Sequence, residues 1–152
     1  MKLLDANLLV YAVNHDAPLH LPARNWLEQA LTGDEPVGFA WIVILAFLRI
    51  TTRAGLFRKP LSPDRAFELV AAWLAAPAAR IVHPGPRHLE ILGRLIQPLG
   101  TAGNLTSDAH LGALAMEQSA QLYSCDSDFA RFPGVDWRNP LEQPPTTSRA
   151  RR

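Results

Sequence analysis

Short apolar segments alternate with helix-length amphipathic ones along nearly the whole chain, and this alternation limits the possible folds more than any other feature. Lys2 to Asp5, Val37 to Ala40, Ile81-Val82 and Leu122 to Ser124 read as short buried strands, with Val135-Asp136-Trp137 a candidate fifth. Between them, Ala23, Trp26, Leu27, Ala30 and Leu31 recur at helical spacing from about Pro18, and Gly33 follows as a stop. Trp41 to Thr52 continues the second strand as a helix. Ser62-Pro63-Asp64 is a helix start, with a hydroxyl cap, proline in the first turn and an acid at the positive dipole end; that helix runs to Ala76. Arg87 to Leu99 carries Leu89, Leu92 and Ile96 on one face, and Thr106 or Ser107 is placed to cap a helix from Asp108 to Ser119. Strands separated by helices predict an α/β fold: a mostly parallel sheet covered on both faces.

A chain of 152 residues with 48% apolar and 19% charged residues predicts one globular domain, placed here at residues 1–142. Residues 143–152, rich in proline, hydroxyl residues and arginine, form a tail that cannot build a core. The longest apolar run, Val37 to Leu48, is too short for a bilayer, and no signal sequence opens the chain, so no membrane association and a cytoplasmic location are expected. Cys125 is the only cysteine, which excludes an intramolecular disulfide.

The formal net charge of +1 does not announce a polyanion binder, but its distribution is uneven. No acid occurs between Pro36 and Pro63, where Arg49, Arg53, Arg58 and Lys59 lie. Such a stretch can steer a nucleic acid, or be no more than a solvated helix face and loop.

The acids carry the chemistry. In sheets of this kind, ligands bind beyond the carboxyl ends of the strands. Asp5 ends the first strand, Asp126 and Asp128 follow the fourth, and Asp108 opens the helix leading into it. Carboxylates brought together repel and cannot all ionise unaided, a conflict that a divalent cation resolves. An all-oxygen donor set favours Mg²⁺, with Mn²⁺ able to substitute, over zinc. His83, His88 and His110 lack the company of a zinc site, and Cys125 beside Asp126 is a poor nucleophile. Trp26, Trp41 and Trp73 fall on apolar stripes and are expected in the core.

Three segments then look familiar. Leu3-Leu-Asp5-Ala-Asn7-Leu-Leu-Val-Tyr11, Asn104-Leu-Thr-Ser-Asp108-Ala-His-Leu-Gly-Ala-Leu-Ala-Met-Glu117 and Ser124-Cys-Asp126-Ser-Asp128-Phe-Ala-Arg-Phe-Pro-Gly134 resemble, in that order, the opening, central helix and last acidic loop of PIN domains. Trp41 to Thr52 and Gly85-Pro-Arg-His-Leu89 resemble one branch of these, the VapC-type toxins. The resemblance runs with gaps from Met1 to about Leu141. It implies a three-layer α/β/α sandwich, a Mg²⁺-dependent endoribonuclease acting on RNA as the toxin of a type II toxin–antitoxin pair, a homodimer, and a cognate antitoxin over the active site. By position it implies Asp5, Asp108 and Asp126 as metal ligands and Asp128 as an assisting catalytic acid. Asn7 would hydrogen-bond near Asp5 and Ser124 would brace the last loop; the four basic residues are candidate RNA contacts on the strength of their charge.

One position departs from the family pattern. The glutamate that many PIN domains carry on the second helix aligns with Ala46, and no acid lies near it. The departure bears on the number of metals and leaves an alternative: a catalytically weakened PIN-fold module that binds RNA or protein. A phosphatase of the aspartyl-phosphate type is disfavoured, since Asn7 stands where that chemistry needs a second acid.

Overall fold

The computed structural model describes residues 1–142. Its strands are β1 (Lys2–Leu4), β2 (Val37–Ala40), β3 (Ala79–Val82), β4 (Gln121–Tyr123) and β5 (Trp137–Arg138). They form a single sheet in the order β3-β2-β1-β4-β5, and every pairing is parallel. The helices are α1 (Ala6–Val13), α2 (His20–Thr32), α3 (Trp41–Thr51), α4 (Pro63–Leu74), α5 (His88–Ile96) and α6 (Thr106–Glu117). Single 3-10 turns at Gln97–Leu99, Gly103–Leu105 and Ser127–Arg131 complete the described residues.

The connections step from β1 to β2 to β3 in one direction, then return past both to β4. Right-handed crossovers therefore put α1 to α4 on one face and α5 and α6 on the other. The packing agrees: α1 lies against α2 and α3, α3 against α4, and α5 against α6. The result is the α/β/α sandwich with a parallel sheet that the sequence predicts. Between β1 and β4 the direction of winding reverses, and a crevice opens at the carboxyl edge of such a junction.

Central β1 is held from both sides, with Leu3 opposite Gly38 on β2 and Leu122 on β4. A Cβ at Gly38 would stand 2.8 Å from a Val82 methyl, so a side chain there would push β3 away. Leu3, Leu4, Val37, Phe39 and Leu122 are fully or almost fully buried, each side chain contributing about 1.5–3 kcal/mol by leaving water. Helix α6 buries Ala109, Leu111, Gly112, Ala113, Leu114 and Ala115. Small residues let it lie close to its neighbours, which brings its first turn, with Asp108, against the crevice.

Several expectations need correction. Helix α1 is absent from the sequence reading, because Leu8 to Val13 is apolar almost throughout and shows no 3.6-residue alternation. Strand β3 begins at Ala79 rather than Ile81, and α5 gives way at Ile96 to the turn containing Pro98. Neither Thr106 nor Ser107 caps α6; Thr106 is already helical and its hydroxyl donates back to the Gly103 carbonyl at 2.8 Å. Trp26 and Trp73 pack against the core, but Trp41 is 50% exposed. A helix that is apolar on all sides does not reveal in sequence which side faces water. The tail expectation for residues 143–152 lies outside the described residues.

Candidate active site

Strand β1 ends at Leu4, and Asp5 takes the extended conformation (φ −91°, ψ 156°) that N-caps α1. One carboxylate oxygen accepts the Ala6 N–H at 2.7 Å. The other accepts the Ser124 hydroxyl at 2.6 Å and the Asn7 Nδ2–H at 3.0 Å. Ser124, fully buried just past β4, is the hub of this network. Its Oγ also accepts Asn7 Nδ2–H and the Asp126 N–H, both at 2.9 Å, while its carbonyl accepts the Trp137 indole N–H at 3.0 Å. The Cys125 N–H donates to Asn7 Oδ1 at 3.3 Å, which closes the seam. Asp126 caps the next 3-10 turn, accepting the Asp128 N–H at 2.9 Å. Two segments distant in sequence are thus tied together at the edge where β1 and β4 end.

Asp108 reaches the same edge from the first turn of α6. Its half-buried carboxyl makes no hydrogen bond among the described residues, and its pKa is raised to about 6 by burial first, then by the charges of Asp5, Asp126 and Asp128. Asp5 is also raised, by burial above all and further by Asp126, against the lowering effect of the Ser124 and Ala6 donors. The four aspartates therefore share one electrostatic neighbourhood, with Asp128 at its exposed margin. A cavity of about 320 Å³ opens between Asp5, Ser107 and Asp108 on one side and Ala46 and Arg49 of α3 on the other. Ala46 lines this space, so a carboxylate at that position would belong to the site.

Among the described residues, no three His, Cys, Asp or Glu side chains form a ready-made metal cage. The donor set still suits a hard cation. Mg²⁺ retains several waters and is commonly held by one or two carboxylates, a number that Asp5 and Asp108 supply at this cavity. The Cys125 thiol is pushed up to about 11 by burial and then by Asp5, which rules out a thiolate nucleophile at neutral pH.

Of the four basic residues, only Arg49 lines the cavity. Arg53, Arg58 and Lys59 are exposed in the connection from α3 to α4, where Arg58 pairs with Asp16 at 3.8 Å. The sequence reading missed a second polar cluster. His88 Nε2 and His110 Nδ1 lie 2.8 Å apart, and Glu117, 3.4 Å from His88 Nδ1, accepts the Gly85 and Arg87 N–H groups. Those backbone bonds, the Gly85 one foremost, hold Glu117 below the usual carboxylate range. Sequence offered one signal for it: His110 and Glu117 are seven apart on one helix, hence two turns along the same face. The cluster ties α5 to α6 without touching the acidic cavity.

Known proteins share this arrangement. The model of the PIN domain family matches residues 2–135. Ribonuclease VapC37 of Mycobacterium tuberculosis is 51% identical over 140 residues, covering 92% of this chain and 97% of the relative. Ribonuclease VapC33 of the same species is 38% identical, covering 94% and 100%. Among solved structures, VapBC2 of Rickettsia felis, crystallised on a promoter DNA fragment, superposes with a TM-score of 0.67 at 18% identity, covering 91% of this chain and 97% of that one. The sarcin-ricin-loop-cleaving toxin VapC20 of M. tuberculosis gives 0.63 at 17% identity, covering 91% and 100%. The strand order, the motifs and a family match spanning nearly all described residues agree: this chain belongs to the PIN-domain family and, within it, to the VapC-type branch.

Proposed function

We propose that the chain is a Mg²⁺-dependent endoribonuclease, the toxin of a type II toxin–antitoxin pair. One observation carries the reading. Asp108 lines one cavity with Asp5, makes no hydrogen bond among the described residues, and lies close enough to Asp5, Asp126 and Asp128 for their charges to add to the effect of burial in raising its pKa. Such an arrangement costs stability and is kept where function needs it. Two relatives that bear the name ribonuclease cover almost the entire chain, which supports the same reading.

In this proposal Asp5, Asp108 and Asp126 hold the metal, and Mn²⁺ can replace Mg²⁺. When bound, the ion lowers the pKa of a coordinated water and offsets charge developing on a phosphodiester. The chain's own residues do the positioning. Ser124, Asn7 and the Ala6 N–H fix the orientation of the Asp5 carboxylate, and Ser124 at the same time pins the start of the Asp126 loop. Asp128, exposed at the rim, orients water or substrate rather than binding metal directly. Arg53, Arg58 and Lys59 meet flanking phosphates. The partners are an RNA substrate, a second copy of the chain and a cognate antitoxin; structures of the fold solved as VapBC complexes support the last. No helix among the described residues is long and apolar enough to cross a membrane, which is in keeping with a cytoplasmic location.

The test is cleavage of single-stranded RNA by the purified chain with Mg²⁺ or Mn²⁺, abolished by EDTA and restored by the metal. Full activity in EDTA, or a requirement for zinc, would show the site to be misassigned. Because Ala46 lines the cavity, loss of catalysis is the second reading; RNA binding without any metal-dependent cleavage selects it.

A further inference from the structure

Arg49 stands about one turn along α3 from Ala46 and lines the same cavity as Asp5 and Asp108. Its side chain is exposed, and no carboxylate among the described residues lies within ion-pair distance of it, although other arginines pair readily, as Arg65 does with Glu68. A cavity of about 320 Å³ therefore holds acids on one side and, on the other, a guanidinium that forms no ion pair with them. A group that fits between them must present negative oxygens toward α3 and reach the acids through a cation. A metal-bound phosphodiester has that polarity. With alanine at position 46, no acid stands one turn before Arg49 on the α3 side of the cavity.

Resting on the ribonuclease reading of this site, we infer that Arg49 is a catalytic residue that grips the scissile phosphate of RNA. Its planar fork matches two phosphate oxygens at once, and its charge faces the oxygens on which negative charge accumulates during displacement. The site thus places a guanidinium on the α3 side of the cavity, opposite Asp5 and Asp108. Arg53, Arg58 and Lys59, outside the cavity, contribute affinity and not rate.

The experiment compares wild type, Arg49→Gln, Arg49→Lys, Arg53→Gln and Arg65→Gln on a fluorescent single-stranded RNA. It uses steady-state kinetics in Mg²⁺ and anisotropy binding in EDTA, where no cleavage occurs. Arg49→Gln is expected to lower the rate at saturating RNA by about 100-fold, as loss of one donor to a developing anion does. Its metal-free binding should weaken modestly, with a salt slope lower by about 1. Arg49→Lys should keep the salt slope and recover only part of the rate, Arg53→Gln should weaken binding, and Arg65→Gln, which removes an exposed arginine that pairs with Glu68 away from the cavity, should change neither. An Arg49→Gln enzyme with an unchanged saturated rate overturns the assignment. So does an Arg49→Gln chain that fails to fold, since an exposed side chain outside the packing should be nearly neutral to stability. A wild type that cleaves nothing in either metal sinks the ribonuclease reading and this inference together, a result distinct from an active wild type with an indifferent Arg49.

Discussion

Asp5 and Asp108 carry the same group at the same edge of the sheet, yet their surroundings are opposite. Asp5 is locked by three donors at 2.6–3.0 Å, one of them the hydroxyl of a fully buried serine. Asp108 has no such donor and receives only repulsion. One carboxylate belongs to the architecture even in the metal-free protein; the other is left unsatisfied. A site built this way has one wall fixed by hydrogen bonds and another held by none.

Substitution tests this contrast most severely. Asp5→Asn and Asp108→Asn should both lower metal-dependent cleavage by several orders of magnitude, but their stabilities in EDTA should move in opposite directions. Asp5→Asn replaces an acceptor of three bonds with a group that cannot accept them all, costing about 1–3 kcal/mol. Asp108→Asn removes a repelled charge and should raise the denaturation midpoint. Shifts of the same sign in urea titrations would collapse the distinction between the two walls.

Ser124→Ala strikes the fixed wall at its hub. Removing the buried hydroxyl strands Asn7 and Asp126 as well as Asp5, with an expected loss of about 1–3 kcal/mol in the same titrations. Activity should fall about 10–100-fold, the usual cost of losing a group that orients a metal ligand.

Ala46→Glu sharpens the other wall. A further acid in the cavity should lower the metal-free Tm and enlarge the Tm gain on adding Mg²⁺, because tighter binding stabilises by mass action. An equal Mg²⁺ shift in wild type and variant would place position 46 outside the metal's reach.

The smallest effect is in the pH dependence of metal-free stability. Asp108 titrates at 3.8 when unfolded and at about 6 when folded. Between those values the folded chain binds more protons, so this group makes stability fall as pH rises through the window and then level off. Asp108→Asn should remove that part of the slope, and calorimetry from pH 4 to 7 in EDTA will read the difference between the two profiles.

Sequence disclosed the sheet because its strands are short, apolar and separated by amphipathic helices. It disclosed the positions of the acids because strand ends in such sheets converge on one edge. Helix α1 escaped because Leu8, Leu9, Val10 and Ala12 offer no polar face from which to count a period. The place of Arg49 at the cavity escaped for a different reason. Its charge is obvious in sequence, but whether it pairs with an acid, meets solvent or looks into a cavity depends on the rotation of α3, which an all-apolar helix does not reveal. Trp41, half exposed against expectation, is the same ambiguity with a different residue.

The bond between Asp5 and Ser124 spans 119 positions, so its acceptor is made well before its donor. During synthesis at roughly 5–20 residues per second, β1 waits on the order of ten seconds for the strand that flanks it. Until β4 emerges, the central strand keeps one bare edge, and Asp5 lacks the hydroxyl that orients it. A nascent or truncated product ending before residue 121 therefore has three strands of the sheet but only half of the site. The same wiring makes the acidic centre a late event in the birth of the protein, and it gives every incomplete copy an unpaired edge for other chains to join.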